Sequence, residues 1–208
     1  MPTQSPPAAA VDPKAAMRRA AYDARNAQPD KDTLSERALA AFLTLAEYQQ
    51  AATALWYIDC RSELRTRQAL PAALAAGRRI VVPYCTVDER GANKLGLWWL
   101  ESMDELIVGK WKILEPPQDR WGEPGKEIAP AEIDIVMVPG VGFSREGGRM
   151  GNGQGYYDRL LTNVRPNCAL VGLCYESQLF DDLVVSPHDV FMDKVVTESA
   201  VYRGRGRR

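Results

Sequence analysis

Apolar residues recur at helical spacing through the first fifty positions. Beyond them they gather into short runs separated by turn-forming residues. Met17, Ala20, Ala21 and Ala24 share one face of a predicted helix over 12–27, with Asp12 as N-cap and Pro13 at the first helical position. Residues 29–32 read as a linker. Thr33 and Glu36 then make a capping box for a second helix to about Gln50, with Leu39, Phe42, Leu43 and Ala46 inward. ALWYIDC at 54–60 predicts a strand. Ser62 is placed to cap a third helix, kinked or split by Pro71 and ended by Gly77. RIVVPYC at 79–85 is unbroken in its apolar character, as buried parallel strands are. Leu95, Leu97, Trp98 and Leu100 predict a hairpin strand, and Trp111 and Ile113 precede a Glu-Pro-Pro break at 115–117. After a loop at 120–129 the chain predicts a strand at 133–138, a glycine loop and a helix at 155–164. A strand at 168–175, a short helix at 177–183 and a final strand at 194–202 complete the pattern.

Strands that alternate with helices predict an α/β fold: a mostly parallel central sheet with helices on both faces, in a single domain. The expected organisation is a disordered leader at 1–11, the α/β domain at 12–202 and a basic tail at 203–208. The 208 residues are enough for a sizeable core, and 46% hydrophobic with 25% charged is an ordinary globular balance. A formal net charge of −1 removes any bulk electrostatic case for nucleic acid or membrane. No apolar run is long enough to span a bilayer, and the start of the chain lacks a secretory pattern, so a cytoplasmic location is expected. Cys60, Cys85, Cys168 and Cys174 form no C-x-x-C pair and read as reduced thiols. The tail RGRGRR reads as a solvated, frayed end, with weak attraction to RNA as the sharper alternative.

The densest chemistry lies at 149–161, RMGNGQGYYDRLL, which follows the apolar run DIVMVPGVGF. Gly151, Gly153 and Gly155 alternate with other residues. They match neither the Walker A nor the dinucleotide fingerprint. Two readings stand: a tight turn needing positive φ, or a backbone cradle for phosphates at a helix N-terminus beside the Arg149 guanidinium. Asp158, in the first turn of the following helix, either compensates the dipole or holds Mg²⁺ with phosphate oxygens. Lys14 and Arg18 share a helix face, as solvated cations or as partners of an anion. The single histidine, His188, leaves no multi-His metal site and reads as a loop residue. Asp193, alone a turn residue, could complete a metal site with Asp158.

In combination, VPGVGF followed by R-[LM]-G-x-G-x-G-Y-Y-D-R resembles the 5-formyltetrahydrofolate cyclo-ligase (methenyltetrahydrofolate synthetase) family. The likeness extends to Lys14 and Arg18, Glu63 and Thr66, W-x-I-x-E-P at 111–116, and H-D-x-x-x-D at 188–193. The resemblance implies an ATP-dependent, Mg²⁺-requiring ligase. It would convert 5-formyltetrahydrofolate, with or without a polyglutamate chain, into 5,10-methenyltetrahydrofolate with release of ADP and phosphate. The catalytic residues it implies are Lys14, Arg149 and Asp158. Lys14, Arg18, Arg149, Met150, Gly151, Asn152, Gly153, Gln154, Gly155, Tyr156 and Tyr157 would bind ATP. Ile58, Glu63, Trp111, Asn152 and Tyr156 would bind folate, and Asp158 and Asp193 the metal. Asn152 and Gln154 depart from the residues common in relatives, which bears on folate affinity. A monomer is expected. A non-catalytic folate- or nucleotide-binding regulator on the same fold is the rival reading.

Overall fold

The computed structural model describes residues 12–186 and 189–207, so the expected leader at 1–11 and His188 lie outside the described residues. Helix α1 (Pro13–Ala27) starts as its sequence dictates, with Asp12 accepting from the Lys14 N–H at 3.1 Å. Helix α2 (Lys31–Leu43) does not use the Thr33–Glu36 capping box. It begins three residues earlier, with Asp30 in place of Thr33 as N-cap, where Asp30 turns left-handed at φ 49°. Nor does it run on to Gln50. Leu45 is extended and buried, which restarts the chain as α3 (Ala46–Gln50). The break brings Tyr48 against Phe42 and Trp56, with ring centroids 5.1 and 6.1 Å away.

Strand β1 is only Thr53–Leu55. The rest of the expected strand, through Ile58, is buried but irregular. Ser62 does not cap a helix here. Asp59 instead accepts from the Thr66 and Arg67 N–H groups at 3.0 and 2.7 Å, and the chain enters a 3₁₀ turn (Arg67–Ala69). Pro71 does not kink a helix. It sits in the first turn of α4 (Leu70–Ala75), where its missing N–H has no partner to lose. Gly77, at φ 72°, closes that helix as predicted. Strands β2 (Arg79–Val87) and β3 (Asn93–Leu100) form the expected hairpin. A small ribbon, β4 (Ile107–Val108) and β5 (Leu114–Glu115), follows.

Strand β6 (Ile135–Val138) leads into a second small hairpin that the hydrophobic pattern does not announce, β7 (Gly142–Phe143) and β8 (Arg149–Met150). Helix α5 (Tyr156–Leu161) is shorter than predicted. After β9 (Ala169–Leu173) the expected helix at 177–183 is a single 3₁₀ turn, Glu176–Gln178. The last predicted strand is two: β10 (Lys194–Val196) and β11 (Val201–Arg203). Thr197 splits them by accepting from the Ser199 and Ala200 N–H groups at 3.2 and 3.1 Å, which reverses the chain.

Among the described residues the central sheet has seven strands in the order β11-β10-β9-β6-β1-β2-β3. The five inner strands are parallel, and β3 and β11 run antiparallel at the edges. Alternate residues of one strand feed opposite cores. Ile80 and Val82 pack with Phe42 and Trp56 on the side of α2 to α4, while Val81 packs with Val136, Leu160 and Leu161 on the side of α5. Helix α1 docks elsewhere, through Ala21, on Val141 and Met150 of the small hairpin and on Leu183. Helices thus cover both sheet faces in one domain.

The tail is not the frayed end its composition predicts. Gly204 and Gly206 donate backbone N–H groups to Asp193 and Met192 at 2.9 and 3.1 Å, and Arg205 donates to the Glu146 carbonyl at 2.8 Å. The Arg207 guanidinium donates to the carbonyls of Val164, Arg165, Pro166 and Cys168, capping the chain after α5. A planar donor fork meets several carbonyls of the turn between α5 and β9, which is why a charged tail folds back here. Arg207→Ala is therefore expected to cost about 2 kcal/mol and lower Tm by several degrees, measured by thermal unfolding. An unchanged Tm would mean that the tail contributes nothing.

Candidate functional site

A cleft of about 970 Å³, open to solvent, lies beyond the carboxyl ends of β1 and β6, lined there by Tyr57, Ile58, Pro139 and Gly140. The chain runs from β1 outward to β2 on one side, whereas β6 lies on the other side of β1. Adjacent strand ends whose connections diverge leave a crevice between them, the usual ligand position in an open α/β sheet. One wall carries apolar and aromatic groups, among them Tyr84, Leu95, Trp111, Ile113 and Tyr156. The opposite wall is Arg149 and the loop at 151–155. All five residues expected to touch folate, Ile58, Glu63, Trp111, Asn152 and Tyr156, line this one cleft although they span nearly a hundred positions.

The tight-turn reading of the glycine loop holds at two of its three glycines. Gly153 and Gly155 have φ of 85° and 70°, as a tight turn requires. Cations crowd two of the three. A Cβ would lie 2.9 Å from Arg149 Nη1 at Gly151 and 2.7 Å from Arg159 Nη1 at Gly155, whereas at Gly153 it would meet Arg18 Nη2 in ordinary contact at 3.5 Å. Gly151 and Gly155 thus leave room for a guanidinium against the backbone. Helix α5 has only six residues, so the positive field here comes from guanidinium groups more than from a macrodipole. Arg149 is almost buried and is held by the Pro139 carbonyl, at 3.3 Å, and by Asp158. Asp158 is in the first turn of α5, mostly exposed, and its carboxylate is engaged by Arg149. Met150, in contrast, is buried in the small core under α1, so it reaches the loop through its backbone alone.

Lys14 and Arg18 approach the loop from behind the cleft. Arg18 Nε donates to the Gly151 carbonyl at 3.1 Å. Lys14 Nζ lies one helical turn away and pairs with Asp189 at 2.9 Å, whose carboxylate also accepts from the Ser186 N–H at 2.6 Å. The structure does not bring Asp193 to Asp158. Asp193 accepts from the Leu170 N–H at 2.7 Å, at the amino ends of β9 and β10 and thus at the far end of the sheet from the cleft. The carboxylate that joins the cation cluster is Asp189, four residues earlier. Loop conformation decided between the two, and their spacing carried no signal for it. Among the described residues no group of three or more His, Cys, Asp and Glu converges as a metal site. Asp158 pairs with Arg149 and Asp189 with Lys14, so a cation held by either would have to take most of its ligands from phosphate and water, as Mg²⁺ does.

Glu63 sits at the floor of the cleft on the turn that Asp59 organises. Its Oε2 accepts from the Cys60 N–H at 3.0 Å, and Arg25 lies 3.6 Å from Oε1. Burial pushes its carboxyl above the usual range, while Arg25 opposes that shift. Asp59 was not legible as a site-forming residue. Its one local signal is an acidic residue seven positions before a Thr-Arg pair. The Cys60 thiol lines the same floor, and burial beside Glu63 pushes it up to about 12. Only about one Cys60 in 10⁴ is then thiolate at pH 8, so iodoacetamide should modify it far more slowly than a free thiol. Peptide mass spectrometry of a labelling time course checks this, and rapid loss of the unmodified Cys60 peptide would overturn it.

Trp111, at the tip of the β4–β5 ribbon, is 46% exposed and stands edge-on to Tyr156 with centroids 6.4 Å apart. It and Lys112 are both left-handed, with φ of 58° and 63°. Two consecutive non-glycine residues in that region cost free energy that the ribbon must offset. The conformation turns a large exposed indole over the cleft mouth.

With that geometry in view, the comparisons with known proteins are consistent. A model described as the 5-formyltetrahydrofolate cyclo-ligase family matches residues 11–198. The mitochondrial 5-formyltetrahydrofolate cyclo-ligase of Arabidopsis thaliana is 31% identical over 165 residues, covering 70% of this chain but 58% of the plant protein's length. The cyclo-ligase of Escherichia coli K12 is 28% identical over 171 residues, covering 81% of this chain and 90% of that protein. The solution structure of the 5,10-methenyltetrahydrofolate synthetase of Aquifex aeolicus superposes with a TM-score of 0.77 at 29% identity, covering 94% of each chain.

Proposed function

The chain belongs to the 5-formyltetrahydrofolate cyclo-ligase family, a family of ligases, and from that premise we propose that it uses ATP to close 5-formyltetrahydrofolate to 5,10-methenyltetrahydrofolate. The observation that carries the reading is the cleft itself. An apolar aromatic wall ending in a buried carboxylate faces a glycine loop packed with guanidinium groups. A flat heterocycle suits the first and a triphosphate the second.

On this reading the formyl oxygen attacks the γ-phosphorus of ATP and ADP leaves. N10 then attacks the formyl carbon and gives up its proton. The C–O bond breaks, and the former formyl oxygen departs with phosphate. Phosphorylation makes a poor leaving oxygen a good one. The protein's work is then orientation and charge neutralisation, which Lys14, Arg18 and Arg149 supply at the loop. Asp158 and Asp189 would hold Mg²⁺ there, which when bound neutralises phosphate charge. Trp111 and Tyr156 cover the reacting edge and limit water.

The test is ADP release that requires 5-formyltetrahydrofolate, measured with the absorbance of the methenyl product. A folded sample showing neither overturns the proposal. Ligand binding without ADP release would make the chain a non-catalytic binder on this fold.

A further inference from the structure

The proposed mechanism gives Tyr157 no role. Its ring packs between the two cores with the Arg149 guanidinium 5.9 Å from its centroid, and it lines the cleft. Its hydroxyl oxygen is shielded from solvent and has no hydrogen-bond partner among the described residues. Its neighbours behave differently. Tyr57 donates to the Leu64 carbonyl at 3.2 Å, Tyr84 to Glu127 at 2.6 Å and Tyr156 to Asn93 at 3.3 Å. An unpartnered buried hydroxyl is a cost that a folded chain ordinarily avoids, so its persistence in a ligand cleft calls for a ligand partner.

A phenol is protonated at neutral pH, so this hydroxyl, with no acceptor of its own, offers its proton as a donor. Glu63, on the same floor, offers an acceptor. A donor and an acceptor presented together match a cis-amide edge, a carbonyl oxygen next to an N–H. The pterin lactam of a folate has that edge, whereas a phosphate chain offers acceptors only.

We propose that Tyr157 is a specificity-determining residue whose hydroxyl donates to the pterin lactam oxygen while Glu63 accepts from the adjacent N–H, which places Tyr157 on the folate and not on the phosphate chain. The inference rests on the folate reading above. The contact exists before and during the reaction, so it acts as uniform binding.

The test is Tyr157→Phe, which keeps the ring and removes only the oxygen. The apo protein is expected to keep or raise its Tm, because an unsatisfied polar atom has been removed. The KM for 5-formyltetrahydrofolate is expected to rise about tenfold, with kcat and the KM for ATP little changed. A second arm measures binding of a 4-amino-4-deoxy folate, in which the carbonyl acceptor becomes a donor. The wild-type protein should discriminate against it, and Tyr157→Phe should lose most of that discrimination. An unchanged folate KM, a rise in the ATP KM instead, or a Tm several degrees lower in Tyr157→Phe would each overturn the proposal. A wild-type protein that neither binds nor turns over 5-formyltetrahydrofolate would instead overturn the function on which it rests.

Discussion

Arg149→Ala is expected to lower kcat/KM for the ATP-dependent reaction by about three orders of magnitude while leaving the protein folded. The magnitude follows from position. Arg149 is nearly buried, directed along the glycine loop, and held in place by Pro139 and Asp158 before any ligand arrives. A preorganised guanidinium does not have to reorient as charge develops on the transferring phosphoryl group, and that gives it more weight than an exposed cation. The fold should survive because the partner left behind, Asp158, is 61% exposed and rehydrates when the arginine is gone. Arg149→Lys should recover part of the loss, since it restores charge without the planar fork. Steady-state kinetics with a parallel unfolding curve decide the matter. Activity within threefold of wild type would remove Arg149 from the phosphate site.

Gly147→Ala should cost about 3 to 4 kcal/mol and lower Tm by roughly 10 °C. Gly147 sits at the turn between β7 and β8 with φ 94°, and a Cβ there would lie 2.4 Å from the Met192 carbonyl oxygen. That atom is backbone and cannot swing aside. The Gly147 carbonyl also accepts from the Met192 N–H at 2.8 Å, and Arg205 N–H donates to Glu146 at 2.8 Å. One methyl therefore pushes apart the hairpin carrying Arg149, the segment running from Asp189, and the tail. Gly122→Ala is the control. Gly122 has φ 81° but nothing within 4 Å of a Cβ, so it isolates the backbone strain, about 1 to 2 kcal/mol. Equal effects from the two substitutions would show that the close approach to Met192 is not what matters.

The difference between these two glycines marks what could be read from the chain. Both are glycines in polar loops, and their sequence contexts do not tell them apart. The same holds for Asp189 and Asp193. Asp189 is the acid of the His-Asp pair and Asp193 stands four residues on, and only loop folding sends one to Lys14 and the other to Leu170. Periodicity placed α1, the β2–β3 hairpin, β6 and β9, because a buried face imposes its spacing on many residues at once. It could not foresee the break at Leu45, the split at Thr197 or the β7–β8 hairpin, each set by a few local hydrogen bonds or by one buried side chain.

The candidate site was legible as a list and not as an arrangement. The glycine spacing, Arg149 and the Tyr-Tyr-Asp that follows are contiguous, so local chemistry alone makes them conspicuous. That Ile58, Glu63, Trp111 and Tyr156 share one cleft is a consequence of strand order, with β1 beside β6 at the point where connections diverge. By itself the sequence determined the class of fold, the positions of its main strands and the glycine-rich, cationic character of one loop, because those depend on neighbours along the chain. Only the tertiary structure decided that Asp189 joins the cations, that the arginine tail is a cap, and that Tyr157 hides an unpaired hydroxyl in the cleft. Those facts depend on groups far apart in sequence, whose meeting depends on burial and backbone hydrogen bonding and leaves no periodic trace.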